Sequence, residues 1–377
     1  MISSWRRPRA ARRAAKELHG EEGGDMELTT PNHFQSHGIE RIPTPRIPVS
    51  SIQVSEILSQ ITTASKWEDQ VGCRNLVAKI KAMAKESERN KRCIVTNGTD
   101  SVLSAAFEVF SRTCLDESIS VLEEILSTLT LWFPLNGEAV SYLGSNSSLR
   151  CMVWFLKSGD LSKKRNAVLV MTDVVSSDQS KANVLSVIEG AMEALFNLIK
   201  EPICPASTKA SLMIIYQMVM ITTSATNERI ATKFVEMGLV SLLLELLVDS
   251  ERSICEKSLG VLDGICSTEN GRAKAYTNAL TIPVVVKKIL RISDLATEFS
   301  VSILWKLCKK EKREEKRSLV EALQVGAFQK LLLLLQVGCV KKTKEKATEL
   351  LKLLNLNRNR LLECNDSMDF KYLRRPF

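Results

Sequence analysis

Apolar residues recur at helical spacing through most of the chain after residue 50. Ile57, Leu58 and Ile61 fall on one face of a predicted helix, and the same three- and four-residue spacing continues from Trp67 to Met83. Proline is almost absent from this region until Pro134. The pattern predicts a series of amphipathic α-helices that begins near Ser51.

A small residue precedes an apolar helix at regular intervals along this region. These residues are Gly98, Gly144, Gly190, Gly238, Ala279 and Gly326, separated by 46, 46, 48, 41 and 47 residues. After each one the pattern predicts a second, longer helix, over 118–133, 162–177, 205–224, 251–268, 293–310 and 341–357. Units of about 40–47 residues with two or three helices are typical of armadillo and HEAT arrays. The sequence therefore predicts an all-α fold, a right-handed armadillo-repeat superhelix (α-solenoid) of about six repeats.

The recurring glycines suit a sharp turn between a short helix and the next one. Glycine reaches left-handed or crowded backbone states without a side-chain penalty. In the unit 238–266, leucines cover more than one face of the helix, which requires neighbours on two sides. A single unit cannot bury this surface alone, so stacking is obligatory. The terminal helix, Lys341–Leu354, combines five lysines with an apolar stripe and is predicted to be a polar cap.

The chain divides near residue 50 by composition. Half of its ten prolines lie in the first 48 residues, and residues 1–16 carry six basic groups and no acid. Such segments favour extended or disordered conformations. The predicted domains are a disordered leader (1–36), a proline-rich linker (37–50), an armadillo-repeat solenoid (51–357) and a C-terminal tail (358–377).

The predicted helical region offers little catalytic chemistry. The only histidines are His19, His33 and His37, so no imidazole is available there to activate a serine or cysteine. Ten cysteines occur without a Cys-x-x-Cys pair, which disfavours zinc sites and a disulfide framework. Four of them fall in apolar runs and are predicted to be buried thiols: Cys93, Cys151, Cys266 and Cys308. We predict no catalytic residue, no cofactor and no metal site.

Positive charge is concentrated toward the two ends of the chain. The formal net charge is +9, and the segment 306–317 holds seven basic and three acidic residues. We predict that an acidic or phosphorylated partner binds there, through Lys306, Lys309, Lys310, Lys312 and Arg313. A solvated, charged helix face is the alternative. Nucleic acid is disfavoured as a partner, because no aromatic residue lies within this run to stack on bases.

No segment predicts secretion or membrane insertion. The basic N-terminal residues lead into no apolar core of a signal peptide. No stretch reaches the ~18 apolar residues of a spanning helix. We expect a soluble protein without a membrane span, located in the cytoplasm or, if the basic leader acts in import, in the nucleus.

Four phrases, in order along the chain, resemble one protein family. They are Gly38-Ile-Glu-Arg-Ile-Pro-Thr-Pro-Arg-Ile-Pro48, Asn90-Lys-Arg-Cys-Ile-Val95, Leu198-Ile-Lys-Glu-Pro-Ile-Cys-Pro-Ala-Ser207 and Val301-Ser-Ile-Leu-Trp-Lys-Leu-Cys308. They are similar to plant U-box/armadillo ubiquitin ligases of the defence and stress-signalling subgroup, and the resemblance covers about residues 37–377. It implies a ligase whose repeats bind protein substrates in the solenoid groove and whose U-box recruits a ubiquitin-conjugating enzyme.

The sequence departs from this family at its beginning. A U-box is longer than the 37 residues that precede Gly38, and its two Cys-Pro phrases are missing. Leu28-Thr-Thr-Pro-Asn-His33 resembles only the last strand-to-helix segment of a U-box. We expect a truncated or mis-spliced member, starting at Met1 or Met26, in which recruitment of a conjugating enzyme is in doubt.

Three functions are compatible with these observations. The first is the substrate-recognition part of a ubiquitin ligase, and the second is a non-catalytic armadillo scaffold for protein–protein interaction. The third is an import-type adaptor for basic peptides, which is disfavoured because only Trp132 and Trp305 lie on groove helices, without a repeated asparagine partner.

Overall fold

The computed structural model describes residues 48–112, 115–221, 224–310 and 317–365. The predicted leader, its U-box-like segment, residues 37–47 of the predicted linker and residues 366–377 lie outside these ranges. The predicted boundaries of leader, linker and tail therefore stay predictions. Within the described residues the secondary structure is helical and no strand occurs.

The described helices form one pair followed by six repeats of three. The pair is α1 (Ser51–Lys66) and α2 (Gln70–Glu86). The first three repeats are α3 (Glu88–Thr96), α4 (Thr99–Phe110) and α5 (Leu115–Leu129); α6 (Gly137–Leu143), α7 (Asn146–Ser158) and α8 (Leu161–Ser177); and α9 (Ser180–Val187), α10 (Ala191–Lys200) and α11 (Pro205–Ile221). The last three are α12 (Ser224–Glu236), α13 (Leu239–Asp249) and α14 (Arg252–Ile265); α15 (Glu269–Thr277), α16 (Thr281–Lys288) and α17 (Asp294–Lys310); and α18 (Arg317–Gln324), α19 (Ala327–Val337) and α20 (Lys341–Asn365). The prediction of an all-α armadillo fold with about six repeats is confirmed.

The third helix is the longest of each repeat, and these helices form a continuous row. Starting from α2, each packs on the next in the order α5, α8, α11, α14, α17 and α20. We call this row the third-helix ladder. The second helices pack against it, and large side chains on them, such as Phe107 and Phe155, are fully buried. The core is thus continuous from repeat to repeat, as expected for repeats that cannot bury their apolar faces alone.

Left-handed glycines join the first and second helices in four of the six repeats. Gly98, Gly190, Gly238 and Gly326 have φ angles of 74°, 78°, 89° and 82°. Gly144 differs, with a φ of −81°. It is crowded instead, since a Cβ there would lie 2.8 Å from the carbonyl oxygen of Val140. In the fifth repeat, where Ala279 replaces glycine, the Asn278 side chain accepts a hydrogen bond from the Leu280 N–H.

Gly98→Ala is expected to lower the free energy of unfolding by about 1 kcal/mol, because an L-residue pays a steric penalty at a φ of 74°. No atom lies within 4 Å of the added Cβ, so the penalty comes from the backbone alone. Urea unfolding followed by circular dichroism measures it. Gly137→Ala is the matched control, because Gly137 begins α6 without a positive φ and is equally open. An equal loss at Gly137 would contradict this explanation.

Two asparagines of the first repeat hold the start of the described chain. The Val49 N–H donates to Oδ1 of Asn90 at 3.2 Å. Asn90 is itself buried, and its Nδ2 donates to the carbonyl of Met83 at 3.3 Å. The Ser51 hydroxyl donates to Oδ1 of Asn97 at 2.7 Å. The end of the predicted linker is therefore fixed against α3 and the residue that caps it.

Three further sequence expectations concern cysteines, membranes and metals. Cys151, Cys266 and Cys308 are buried as predicted, whereas Cys93 is partly exposed.

Among the described helices, none alone is long and apolar enough to cross a membrane. Two bent pairs meet that criterion by length and composition only when joined, α9 with α10 (97°) and α18 with α19 (71°). Within the same ranges, no group of three or more His, Cys, Asp or Glu residues is placed to hold a metal ion.

Candidate functional site

Two aromatic rings meet across α14 and identify the inner face of the ladder. Tyr216 on α11 and Phe299 on α17 have ring centroids 5.9 Å apart, edge to face, although α14 lies between their helices. Both rings lie over Gly260, where a Cβ would be 3.2 Å from each. In a curved row, second neighbours approach one another on the inside of the bend. The face of α14 that carries Gly260 is therefore the concave side, and we call it the inner face.

A second glycine continues this close approach one helical turn further along α14. A Cβ on Gly264 would lie 2.4 Å from Cγ2 of Val219 and 3.4 Å from Sδ of Met220. Val219 is fully buried, whereas Met220 is 42% exposed. Together with Tyr216, the Met220 side chain gives the inner face an apolar strip beside α14.

Lysine–carboxylate pairs connect neighbouring helices of the ladder. Five of its six joints carry one within the described residues. They are Lys81–Glu124 (3.0 Å), Lys163–Glu123 (3.2 Å), Lys209–Glu251 (2.5 Å), Lys306–Asp263 (2.6 Å) and Lys309–Glu349 (2.8 Å). Most of these side chains are partly exposed, so each such pair contributes at most about 1 kcal/mol. On the surface of the ladder, the charges of these five lysines are largely cancelled by the paired carboxylates.

The pair between Asp263 and Lys306 is the least exposed of the five, at 9% and 14%. The Lys306 ammonium donates to Oδ1 and to the backbone carbonyl of Asp263, both at 2.6 Å, and to the Ser267 hydroxyl at 3.0 Å. Lys306 follows Phe299 by two helical turns and so shares its face. All three donors of its ammonium are used by α14 and the residues that follow it.

A second polar group surrounds Trp305 where α17 packs on α20. The indole N–H of Trp305 donates to Oε2 of Glu349 at 2.6 Å, and Lys309 pairs with the other oxygen. The Lys309 and Lys346 ammonium groups lie 4.6 and 5.6 Å from the centre of the ring. Lys346 also donates to the Ser302 hydroxyl at 2.7 Å. We call these five residues the Trp305 cluster.

The two lysines of the Trp305 cluster have different electrostatic environments. Hydrogen bonds from Lys309 and Trp305 hold the pKa of Glu349 below its usual value, which marks a compensated carboxylate. Burial lowers the pKa of Lys346, whose charge is not balanced in this way. Among the described residues no carboxylate lies within 4 Å of the Lys346 ammonium.

The predicted partner-binding residues are only partly described. Lys306 is committed to Asp263, and Lys309 is half exposed but paired with Glu349. The side chain of Lys310 lies outside the described residues, as do Lys312 and Arg313. The structure thus bonds Lys306 to α14 and Lys309, one turn further along α17, to α20 within the Trp305 cluster. Their role in binding an acidic or phosphorylated partner stays a prediction.

A shallow cavity of about 520 Å³, widely open to solvent, adjoins the Trp305 cluster along α20. Glu349 belongs to both. The lining is rich in lysine and consists of Lys341, Lys344, Glu345, Thr348, Glu349 and Lys352. The exposed lysines of this helix agree with the predicted polar cap. They also make its outer flank electropositive beside the only tryptophan of the cluster.

Sequence reasoning missed the residues that join one repeat to the next. Asp263 and Lys306 are 43 residues apart, and both Trp305–Glu349 and Ser302–Lys346 are 44 residues apart. These separations equal one repeat period. Aligning the predicted third helices by that period could have revealed complementary side chains at equivalent positions.

Comparison with known proteins places these features in a family context. A family model described as plant U-box protein ARM repeat region matches residues 53–373. U-box domain-containing protein 21 of Arabidopsis thaliana is 43% identical over 341 residues, which cover 90% of this chain and 76% of that protein. E3 ubiquitin-protein ligase PUB23 of the same plant is 31% identical over 350 residues, 87% of this chain and 80% of that protein.

Solved structures agree on the fold at low sequence identity. An engineered protein has a TM-score of 0.58 at 15% identity, covering 80% of this chain and 68% of its own. A designed armadillo repeat protein in complex with the peptide (KR)4 has a TM-score of 0.52 at 16% identity, covering 66% of this chain and 99% of its own. These likenesses concern the backbone arrangement alone.

Proposed function

Because the chain belongs to the plant U-box proteins with an armadillo repeat region, we propose that it recognises protein substrates for ubiquitination. The inner face of the third-helix ladder is the proposed substrate surface. The observation that carries this proposal is the exposed Met220 beside Tyr216. The Trp305 cluster adjoins this region, since the charges of Asp263 and Lys306 act on its Lys346. Concave faces of stacked repeats present extended surfaces to partner chains, and partly exposed aromatic and methionine side chains are typical of their contact points.

The U-box and the repeats of such a ligase would have different tasks. Ubiquitin transfer requires a conjugating enzyme, which in this family docks on a U-box. The repeats would then supply affinity and orientation for the substrate, since bringing two reactants together accounts for much of the rate of such reactions. The conjugating enzyme is accordingly a partner only of a chain with a U-box.

Three finer points extend the proposal. Plant defence and stress signalling is the proposed biological setting, supported by the phrases that resemble that subgroup. The cytoplasm is the proposed location, with the nucleus as the alternative suggested by the basic leader. The predicted basic residues Lys306, Lys309, Lys310, Lys312 and Arg313 would face an acidic or phosphorylated substrate.

Photo-crosslinking from position 220 tests the substrate surface. A photoreactive amino acid replaces Met220 in the full chain, and proteins captured from plant extract are identified. Each is then offered to the chain, joined to a U-box, together with ubiquitin, activating enzyme and conjugating enzyme. We expect ubiquitin to be attached to a captured protein, and Met220→Glu to reduce this by about tenfold, the effect of losing one important interface residue.

Val187 supplies the control position. It lies at the end of α9, a first helix, and is 69% exposed. Val187→Glu introduces the same charge and should leave ubiquitination unchanged. Equal loss in both variants would argue against an inner-face site. A captured protein that binds but is never modified would favour the scaffold function instead.

A further inference from the structure

Lys346 is an ammonium group whose charge the fold leaves uncompensated. Its side chain is partly buried, and its described contacts are the Ser302 hydroxyl at 2.7 Å and the Trp305 ring at 5.6 Å. The carboxylates of Asp263 and Glu298 act on its charge from beyond ion-pair distance, and the ammonium of Lys306 acts against them. Asp263 is already paired with Lys306. A partly buried cation with one hydrogen bond retains two donors for an external acceptor.

The charges around Lys346 add to this imbalance. Lys342 precedes it by one helical turn, an arrangement of like charges that destabilises a helix in isolation. Lys341, Lys344 and Lys352 line the adjoining cavity. Of the two carboxylates in this lining, Glu349 is paired with Lys309, and Glu345 has no ion pair within the described residues. By contrast, at five of the six ladder joints one lysine is paired with a carboxylate. Several lysines without a carboxylate partner in the part of the chain that the structure describes therefore lie together around Lys346.

We propose that the Trp305 cluster binds a carboxylate of an extended acidic protein segment, with Lys346 as the ion-pairing residue and Trp305 as the wall for a neighbouring apolar side chain. This inference rests on the proposed function and specifies the substrate chemistry of its surface. Trp305 suits the second role because its N–H is already bonded to Glu349, so its partly exposed ring needs no polar partner. Lys306 donates no hydrogen bond to this carboxylate, because Asp263 and Ser267 take all three of its donors, and it contributes its charge alone.

The geometry favours a carboxylate over a phosphate group. A carboxylate carries one charge and matches one uncompensated ammonium, whereas a phosphate carries about 1.5–2 charges and is usually held by the forked donors of arginine. Among the described residues, the Trp305 cluster and the adjoining cavity contain no arginine. The expected segment therefore has aspartate or glutamate next to an apolar residue.

Peptide selection on the full chain tests this inference. Phage-displayed random dodecapeptides are selected on the immobilised protein, and an enriched peptide is labelled with fluorescein and titrated by anisotropy. We expect enrichment of Asp or Glu beside an apolar residue. Lys346→Gln should raise the Kd at least about tenfold, the effect of losing one charge-assisted hydrogen bond. Lys346→Arg should restore most of the affinity.

Lys200→Gln is the matched control for net charge. Lys200 is exposed in the last turn of α10, and its loss should change the Kd by less than about twofold. Peptides without acidic bias, an unchanged Kd in Lys346→Gln, or binding that requires phosphoserine in place of glutamate would each overturn the inference. Peptides that depend on Met220 but not on Lys346 would overturn it while leaving the inner face as the substrate surface.

Discussion

Asp263→Ala is expected to lower the free energy of unfolding by about 3 kcal/mol. Removing one member of a buried ion pair typically costs about 3–5 kcal/mol, because the other charge stays in a poorly solvated place. For Asp263→Ala we expect a loss of stability at the lower end of this range. Lys306 is 14% exposed and keeps two acceptors, the backbone carbonyl at position 263 and the Ser267 hydroxyl. Urea unfolding followed by circular dichroism gives the difference.

Two further variants separate the charge effect from the loss of packing. Asp263→Leu combined with Lys306→Met should recover most of the stability, because apolar replacement of a whole buried pair is often neutral. Lys233→Ala breaks the Lys233–Glu193 pair, whose members are both 46% exposed, and should cost less than about 1 kcal/mol. If Asp263→Ala were no more damaging than Lys233→Ala, the joint between α14 and α17 would not depend on its ion pair.

Gly264→Leu is expected to lower the free energy of unfolding by about 3 kcal/mol. The first added carbon would lie 2.4 Å from Cγ2 of Val219, which is fully buried and too short to move aside. Overpacking of this kind costs about 1–3 kcal/mol, and the remaining Leu carbons place the change at the upper end. The gain in helix propensity over glycine, about 1 kcal/mol at most, is smaller.

Gly137→Leu provides the comparison for this substitution. Gly137 begins α6, and nothing lies within 4 Å of a Cβ placed there. The same side chain should therefore change the stability by less than about 0.5 kcal/mol. Chemical denaturation of both variants shows whether crowding or the loss of glycine matters. A stability of Gly264→Leu equal to that of the unaltered chain would mean that α11 and α14 can separate freely.

The fold followed from local features of the sequence, and so it could be predicted. A period near 45 residues recurs because every repeat has to bury the same kind of apolar face on its neighbours. Five of the six third helices were predicted to within a few residues, as with 205–224 against Pro205–Ile221, whereas α20 continues to Asn365 beyond the predicted end at 357. Four of the six turns use the left-handed glycine for which the pattern argued. The exceptions, Gly144 and Ala279, depend on crowding and side-chain capping that spacing does not reveal.

The site was harder to predict, because it depends on which side chains cross a joint between repeats. A run of basic residues looked like a single surface, yet Lys306 and Lys309 contact different neighbouring helices. Lys346 was assigned to a polar cap, and only its position beside Ser302 and Trp305 distinguishes it from the exposed lysines around it. Charge counting along the chain could not separate neutralised lysines from an unneutralised one.

The joints between neighbouring helices of the ladder differ in the contacts that hold them together. Between α11 and α17, two aromatic rings and the Asp263–Lys306 pair brace consecutive helices. Between α8 and α11, the described residues include no lysine–carboxylate pair. The joints therefore resist separation by different means, with ion pairs and aromatic contacts around α14 and side-chain packing between α8 and α11. Added salt, which screens exposed ion pairs, should loosen the joints that depend on such pairs and leave the joint between α8 and α11 unchanged.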